Sequence, residues 1–340
     1  MNFTFETLIF ILLSILILFS VRKGSDKNIL SLQNCNDLKG IFALLILIFH
    51  VSKEDDLLFP LFDYFSVVVV GAFFFLSGFG STKQFISKED YSKDYVPKRL
   101  VRLVLPYIIM TCVYWAYNAF IGNVYSLSYV LDSIIHYRPI VMYSWFIVSI
   151  IYHYVLYYLM MLVSKRNRKI VLYLNIFFLV LAIALCLMNR SSKHLVNIMF
   201  AAGVIYAFYE EEADGFIRKN RIGLLIASLA LSVCVQFGPV RGLFNEETFH
   251  MIEKFLFMLV AVSFHAGYHL ENALISQMGK ISMEIYMCQG LAKMITRRYL
   301  GGSLFIQDLV IFILTIVLSC AFHMLFRYLD RILLSKHKQF

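Results

Sequence analysis

Residues 36–51 read NDLKGIFALLILIFHV. Asp37 and Lys39 stand at one end, a continuous apolar run follows, and His50 closes it. The run lacks the alternation of a half-buried strand, so it reads as a helix buried on all sides. It is short for a membrane span, which takes about 20 predominantly apolar residues. Ten further runs set it in context. Together the candidates cover 3–21, 38–51, 64–82, 101–120, 142–163, 170–187, 195–209, 222–237, 251–267, 274–295 and 304–326. With 60% hydrophobic and only 16% charged residues among 340, the chain carries more apolar surface than a soluble domain can bury. The expected fold is all-α: a polytopic transmembrane helix bundle of about eleven spans, ten in a core and one extra at the N-terminus.

The placement of charge gives the expected orientation. If the N-terminus lies outside, the segments 22–39, 83–102, 164–169, 210–221, 268–280 and 327–340 are cytoplasmic. They hold 22 of the 31 Lys and Arg residues, as the positive-inside rule requires. This predicts an N-out, C-in topology and accounts for the net charge of +9 without a nucleic-acid partner. The run 3–21 has no basic start and no small-residue cleavage site before Arg22-Lys23, so it reads as a retained helix. The six cysteines, Cys35, Cys112, Cys186, Cys234, Cys288 and Cys320, show no CxxC spacing and read as small buried apolar residues, with no metal site expected.

Ionisable residues at membrane depth are costly and are usually paired or functional. His50 follows Lys39 by eleven residues, about 16 Å along a helix, which places it near the middle of a ~30 Å hydrocarbon core. It reads either as a general base for a hydroxyl or as a histidine bonded to a neighbouring helix. The stretch Gly71 to Gly80 carries Ser77 beside Gly78, a pattern for close helix packing; a nucleophilic Ser77 is the alternative, with no acidic residue nearby in sequence to complete a triad. Lys98-Arg99-Leu100-Val101-Arg102 sets two arginines three apart on one helix face. They read as a phosphate clamp or as positive-inside anchors. Glu284 enters an apolar helix and needs a partner, either a catalytic group or a basic residue such as Lys39.

Taken in order, these elements resemble the integral-membrane acyltransferase family 3, whose members commonly O-acylate sugars of surface polysaccharides. The likeness rests on Asp37, Lys39-Gly40 and His50; on Phe74-Phe75-Leu76-Ser77-Gly78; on Arg99, Arg102 and Pro106; on Trp145-Phe146; and on Gly279, Ser282 and Tyr286. Two positions depart from the family pattern. Lys39 stands where Arg is usual, so a bidentate contact is lost there, and Gln289 stands where many members have His.

The resemblance implies an O-acyltransferase of a bacterial cell membrane, with a membrane acyltransferase domain over 31–330. An extra helix and linker (1–30) would precede it and a short basic tail (331–340) would follow. Acyl-CoA, most simply acetyl-CoA, would be the co-substrate, with no permanently bound cofactor. Lys98, Arg99, Arg102 and Ser77 would hold the donor. His50, Asp37, Lys39 and Glu284 would form the catalytic set, with His50 as general base. The acceptor would be a glycan or lipid-linked glycan in contact with membrane lipid. The extra N-terminal helix would serve anchoring or packing alone. A transporter or flippase without covalent chemistry is the competing reading, although no repeated halves are seen. A glycan polymerase is a third, although the outer loops are short and the longest, 122–141, has one arginine, Arg138.

Overall fold

The structure is a computed structural model, and it describes residues 4–24, 26–54, 56–89, 91–135, 140–188, 198–237 and 242–336. Side-chain oxygens start the first helices. Thr4 accepts from the Thr7 amide at 3.4 Å to cap α1 (Phe5–Ser20), and Ser31 accepts from the Asn34 amide at 3.2 Å to cap α2 (Leu32–Val51). Such caps satisfy amides that have no partner within the helix. Helix α3 (Phe59–Ser87) begins instead with Pro60 in its first turn, where proline's missing N–H costs nothing. The chain continues through α4 (Tyr91–Tyr95), a π-helical turn (Val96–Val101), α5 (Arg102–Phe120), α6 (Leu127–Ile135), α7 (Trp145–Val163), α8 (Arg168–Leu187), α9 (Ile198–Phe208), α10 (Glu210–Phe237) and α11 (Glu246–His265). It ends with α12 (Ala273–Lys280), α13 (Ser282–Tyr299) and α14 (Leu304–Lys336).

Seven segments among the described residues are long and apolar enough to cross a membrane: Leu32–Val51, Phe59–Ser87, Val96–Phe120, Trp145–Val163, Arg168–Leu187, Glu246–His265 and Leu304–Ile332. Large apolar side chains face outward along several of them, including Phe177 and Val180 of α8 and Ile313 and Val317 of α14. That is the surface a lipid-embedded bundle presents. The other four expected spans differ in form. Helix α1 (16 residues) and α9 are apolar but short, and residues 195–197 of the expected seventh run lie outside the described residues. The run 222–237 is the second half of α10, whose first turn is Glu210-Glu211-Glu212. The run 274–295 is not one helix. It breaks at Ile281 into α12 and α13, which lets α12 lie along α2 while α13 packs on α14.

Small residues set the closest helix contacts. A Cβ at Gly78 would run into the Phe200 carbonyl of α9, and one at Gly279 would run into the Asn36 carbonyl of α2. The packing role expected around Ser77 thus belongs to its neighbour Gly78. Helix α1 is tied to the bundle at its end. The strand β1 (Val21–Lys23) pairs antiparallel with β2 (Tyr268–Leu270), Val21 opposite Leu270. Next to this ribbon, Asn272 Nδ2 donates to Ser20 Oγ at 2.8 Å.

Candidate active site

Helices α2, α3, α5, α7, α12 and α13 line a cavity of about 440 Å³. Lys39, Ser77 and Glu284 put polar groups into it, and Ile46, Phe146 and Tyr286 form its apolar wall. Glu284 is almost fully buried and accepts from His323 Nδ1 of α14 at 2.8 Å. Its partner is therefore His323 and not Lys39, because α13 packs along α14 and presents this carboxylate to it.

A second cavity of about 500 Å³ is lined by Lys88, Lys98, Arg99 and Arg102, and it shares Leu103, Tyr154 and Met283 with the first. The two chambers are neighbours, with these three side chains as their common wall. The π-helical turn, closed by i→i+5 hydrogen bonds, delivers Lys98 and Arg99, and α5 begins at Arg102. Arg99 Nε donates to Tyr91 Oη at 3.2 Å, and its guanidinium sits 6.0 Å from the centroid of the Tyr154 ring, within cation–π range. Burial pushes the Tyr91 phenol above the ordinary tyrosine value, more than the neighbouring Arg99 charge lowers it. It stays protonated and accepts from Arg99 as a neutral group. Arg102 Nε pairs with Asp330 of α14 at 2.6 Å at a half-exposed site.

His50 lies at the last turn of α2, beyond the Tyr286 wall. Its ring stacks on Tyr143 at 3.8 Å and 7°, and the Tyr286 ring stands edge-on at 6.4 Å. Tyr286 Oη donates to the Tyr143 carbonyl. Tyr143 holds this position with φ 68°, a left-handed conformation that side chains larger than glycine rarely adopt. The Gln289 amide faces the imidazole, yet His50 Nδ1 and Gln289 Oε1 are both buried without a hydrogen bond of good geometry. Lys293 of α13 donates to the His50 carbonyl at 2.6 Å. Around it Asp308 accepts from Lys53 Nζ at 3.1 Å and pairs with Arg297. Asp56 accepts from the Lys53 amide at 2.9 Å. Glu6 of α1 faces Asp308 and Asp56.

A family model described as an acyltransferase domain matches residues 36–324. The chain belongs to the acyltransferase 3 family. No curated protein and no solved structure matches it. The match takes in every residue that lines the two cavities, together with His50, and it leaves out all of α1.

Of the residues expected at the site of this membrane acyltransferase, Lys39, Ser77 and Glu284 share one chamber, and Lys98, Arg99 and Arg102 share the next. Asp37 and His50 line neither. Asp37 is fully buried and accepts from Gln33 Nε2 at 3.0 and 3.1 Å, with Ser276 of α12 beside it; it ties α2 to α12. His50 is one ring away from the chamber. Sequence reading missed Tyr143, Tyr154, Lys293, Asp308 and His323. Lys293, Asp308 and His323 carried a usable signal, since each interrupts an apolar helix. The two tyrosines carried none.

Among the described residues no group of three or more His, Cys, Asp or Glu side chains could hold a metal ion.

Proposed function

We propose that the protein is an O-acyltransferase that moves an acyl group, acetyl in the simplest case, from acyl-CoA to a glycan hydroxyl in the cell membrane. What supports this reading is the run of adjacent chambers. A basic one (Lys98, Arg99, Arg102) suits the donor's phosphates. The next, lined by Lys39 and Ser77, suits the pantetheine arm. Its far wall is the Tyr286 ring that covers His50. With the topology expected from the basic segments, the donor arrives from the cytoplasm and the acceptor from the other face.

In the reaction the His50 imidazole takes the acceptor hydroxyl proton as the oxygen attacks the thioester carbon. The C–S bond breaks, and the imidazolium returns the proton to the CoA thiolate, so no net proton is consumed. For the thioester to reach the ring, Tyr286 turns aside from the Tyr143 carbonyl. Tyr143 stacks on the imidazole, Lys293 holds its backbone through the His50 carbonyl, Glu284 is fixed by His323, and Asp37 keeps α2 against α12.

The test is a CoA-release assay on the full chain in nanodiscs with acetyl-CoA and a thiol reagent, with and without a glycan panel. His50→Ala lowers the rate by about 10²- to 10⁴-fold while the thermal unfolding midpoint stays near that of the parent. Undiminished release by His50→Ala overturns the base assignment. Unaltered acetyl-CoA affinity in both Arg99→Ala and Arg102→Ala overturns the donor chamber. Comparison of surface glycans from cells with and without the protein identifies the acceptor by its missing O-acyl group.

A further inference from the structure

A third cavity, about 300 Å³, adjoins the donor chamber and shares Lys88 with it. Its other walls are Phe85, Glu89, Arg166 and Arg168. The local structure explains why the arginines are there. Helix α3 ends at Ser87, and the last carbonyls of a helix lack intrahelical donors. Arg166 Nη2 donates to the Lys88 carbonyl at 3.2 Å, and Arg168 Nη2 donates to the Ile86 carbonyl at 2.6 Å. A guanidinium carries five N–H donors in a planar fork, so this anchor fixes the Arg168 plane and takes one of them. The turn that delivers the pair is strained: Lys165 and Arg166 stand at φ 47° and 65°, a conformation retained where the surrounding structure demands it. Helix α8 starts at Arg168, with Asn167 Oδ1 accepting from the Lys169 and Ile170 amides.

We infer that this cavity binds the 3′-phosphorylated nucleotide end of the acyl-CoA donor, an assignment that rests on the acyl-CoA reading above. Among the described residues Lys88, Arg166, Arg168 and Glu89 supply its polar lining, and cationic side chains there suit a phosphomonoester of charge about −2. Paired guanidinium forks suit its oxygens, and Glu89 suits the exocyclic amine of a base. The three cavities stand in series: this one, then the chamber of Arg99 and Arg102, then the chamber of Lys39 and Ser77. A long donor made of nucleotide, diphosphate and thioester arm has the same order. A donor that ends at the phosphopantetheine has nothing to place here.

The experiment compares acetyl-CoA with acetyl-3′-dephospho-CoA on the full chain in nanodiscs, by initial rates and by equilibrium binding of CoA and 3′-dephospho-CoA. In the parent, removal of the 3′-phosphate raises KM and Kd about tenfold. In the Arg166→Gln/Arg168→Gln double variant KM rises about tenfold with acetyl-CoA, and the two donors become equivalent. Arg168→Lys, which keeps the charge but loses the fork, falls between. Equal KM and Kd for both donors in the parent, or an equal rise for both in the double variant, overturns the assignment. Binding that discriminates the 3′-phosphate without any turnover upholds the subsite and sinks the acyl-transfer reading instead. Binding of neither CoA nor 3′-dephospho-CoA overturns both. The rates are measured in phosphatidylcholine and in phosphatidylglycerol nanodiscs. A double-variant effect confined to the anionic lipid assigns the arginines to a headgroup phosphate and overturns the nucleotide site.

Discussion

The two ends of the bundle use charge in opposite ways. At the Arg99 end, Lys88, Lys98, Arg99, Arg102, Arg166 and Arg168 surround two open cavities, and Glu89 is the carboxylate on their walls. At the His50 end, Lys53, Lys293 and Arg297, all half-buried, stand among the buried carboxylates of Glu6, Asp56 and Asp308 in a tight group. One end keeps its cations next to space, although Arg102 there also pairs with Asp330. The other packs cations and carboxylates against one another. Charges packed together stabilise a shape, whereas cations beside open space can also take a ligand. The difference predicts which substitutions act on folding and which act on binding.

The largest effect on stability belongs to Asp308→Asn. Asp308 is 2% exposed and accepts from both Lys53 and Arg297. Its neutralisation leaves two cations without their counter-charge, at a cost of about 3–5 kcal/mol. The expected result is a fall of several degrees in the unfolding midpoint in detergent, and an unmoved midpoint would erase the contrast between the ends. Next comes Lys293→Met. Loss of a charged donor to the His50 carbonyl costs roughly 1.5–3 kcal/mol, and the rate of CoA release falls while KM for acetyl-CoA holds. A rise in KM with an unchanged rate would place Lys293 in donor binding. Smaller again is Arg102→Gln. Its pair with Asp330 is half-exposed, so stability changes by less than about 1 kcal/mol, but KM for acetyl-CoA rises several-fold. The smallest is Lys98→Gln, with no measurable shift in the midpoint and a rise in KM that shrinks as salt is added. A salt-independent rise would mean that Lys98 acts by packing.

Much of this was legible before any coordinates. The continuous runs at 38–51 and 304–326 read as long apolar helices, and both are helical. Lys39 and Glu284 stood out as ionisable residues in such runs, and both face one chamber. What stayed hidden depends on which helices touch. Glu284 needs a partner, and Lys39 is one basic candidate, but α14 brings His323. The run 274–295 looked like one span, although Gly279-Lys280 near its start marked the place where α12 stops and α13 begins. Tyr143 and Tyr154 are two among 21 tyrosines, and nothing local distinguishes the ring stacked on His50 or the ring under Arg99. Helix α1 read as a simple anchor, yet it brings Glu6 to the Asp308 group, a contact between distant parts of the chain that no pattern announces.

The π-helical turn at Val96–Val101 works like a vernier. A π turn is in effect an α-helix with one residue too many, and each α-helical residue advances the side chains by about 100°. Deletion of a single residue there would relax the backbone into an ordinary helix and swing Lys98 and Arg99 by that angle relative to everything after Arg102. The hydrophobic content would be untouched and the helix better bonded, but the donor's cradle would point elsewhere. In this segment, length is more tightly constrained than composition.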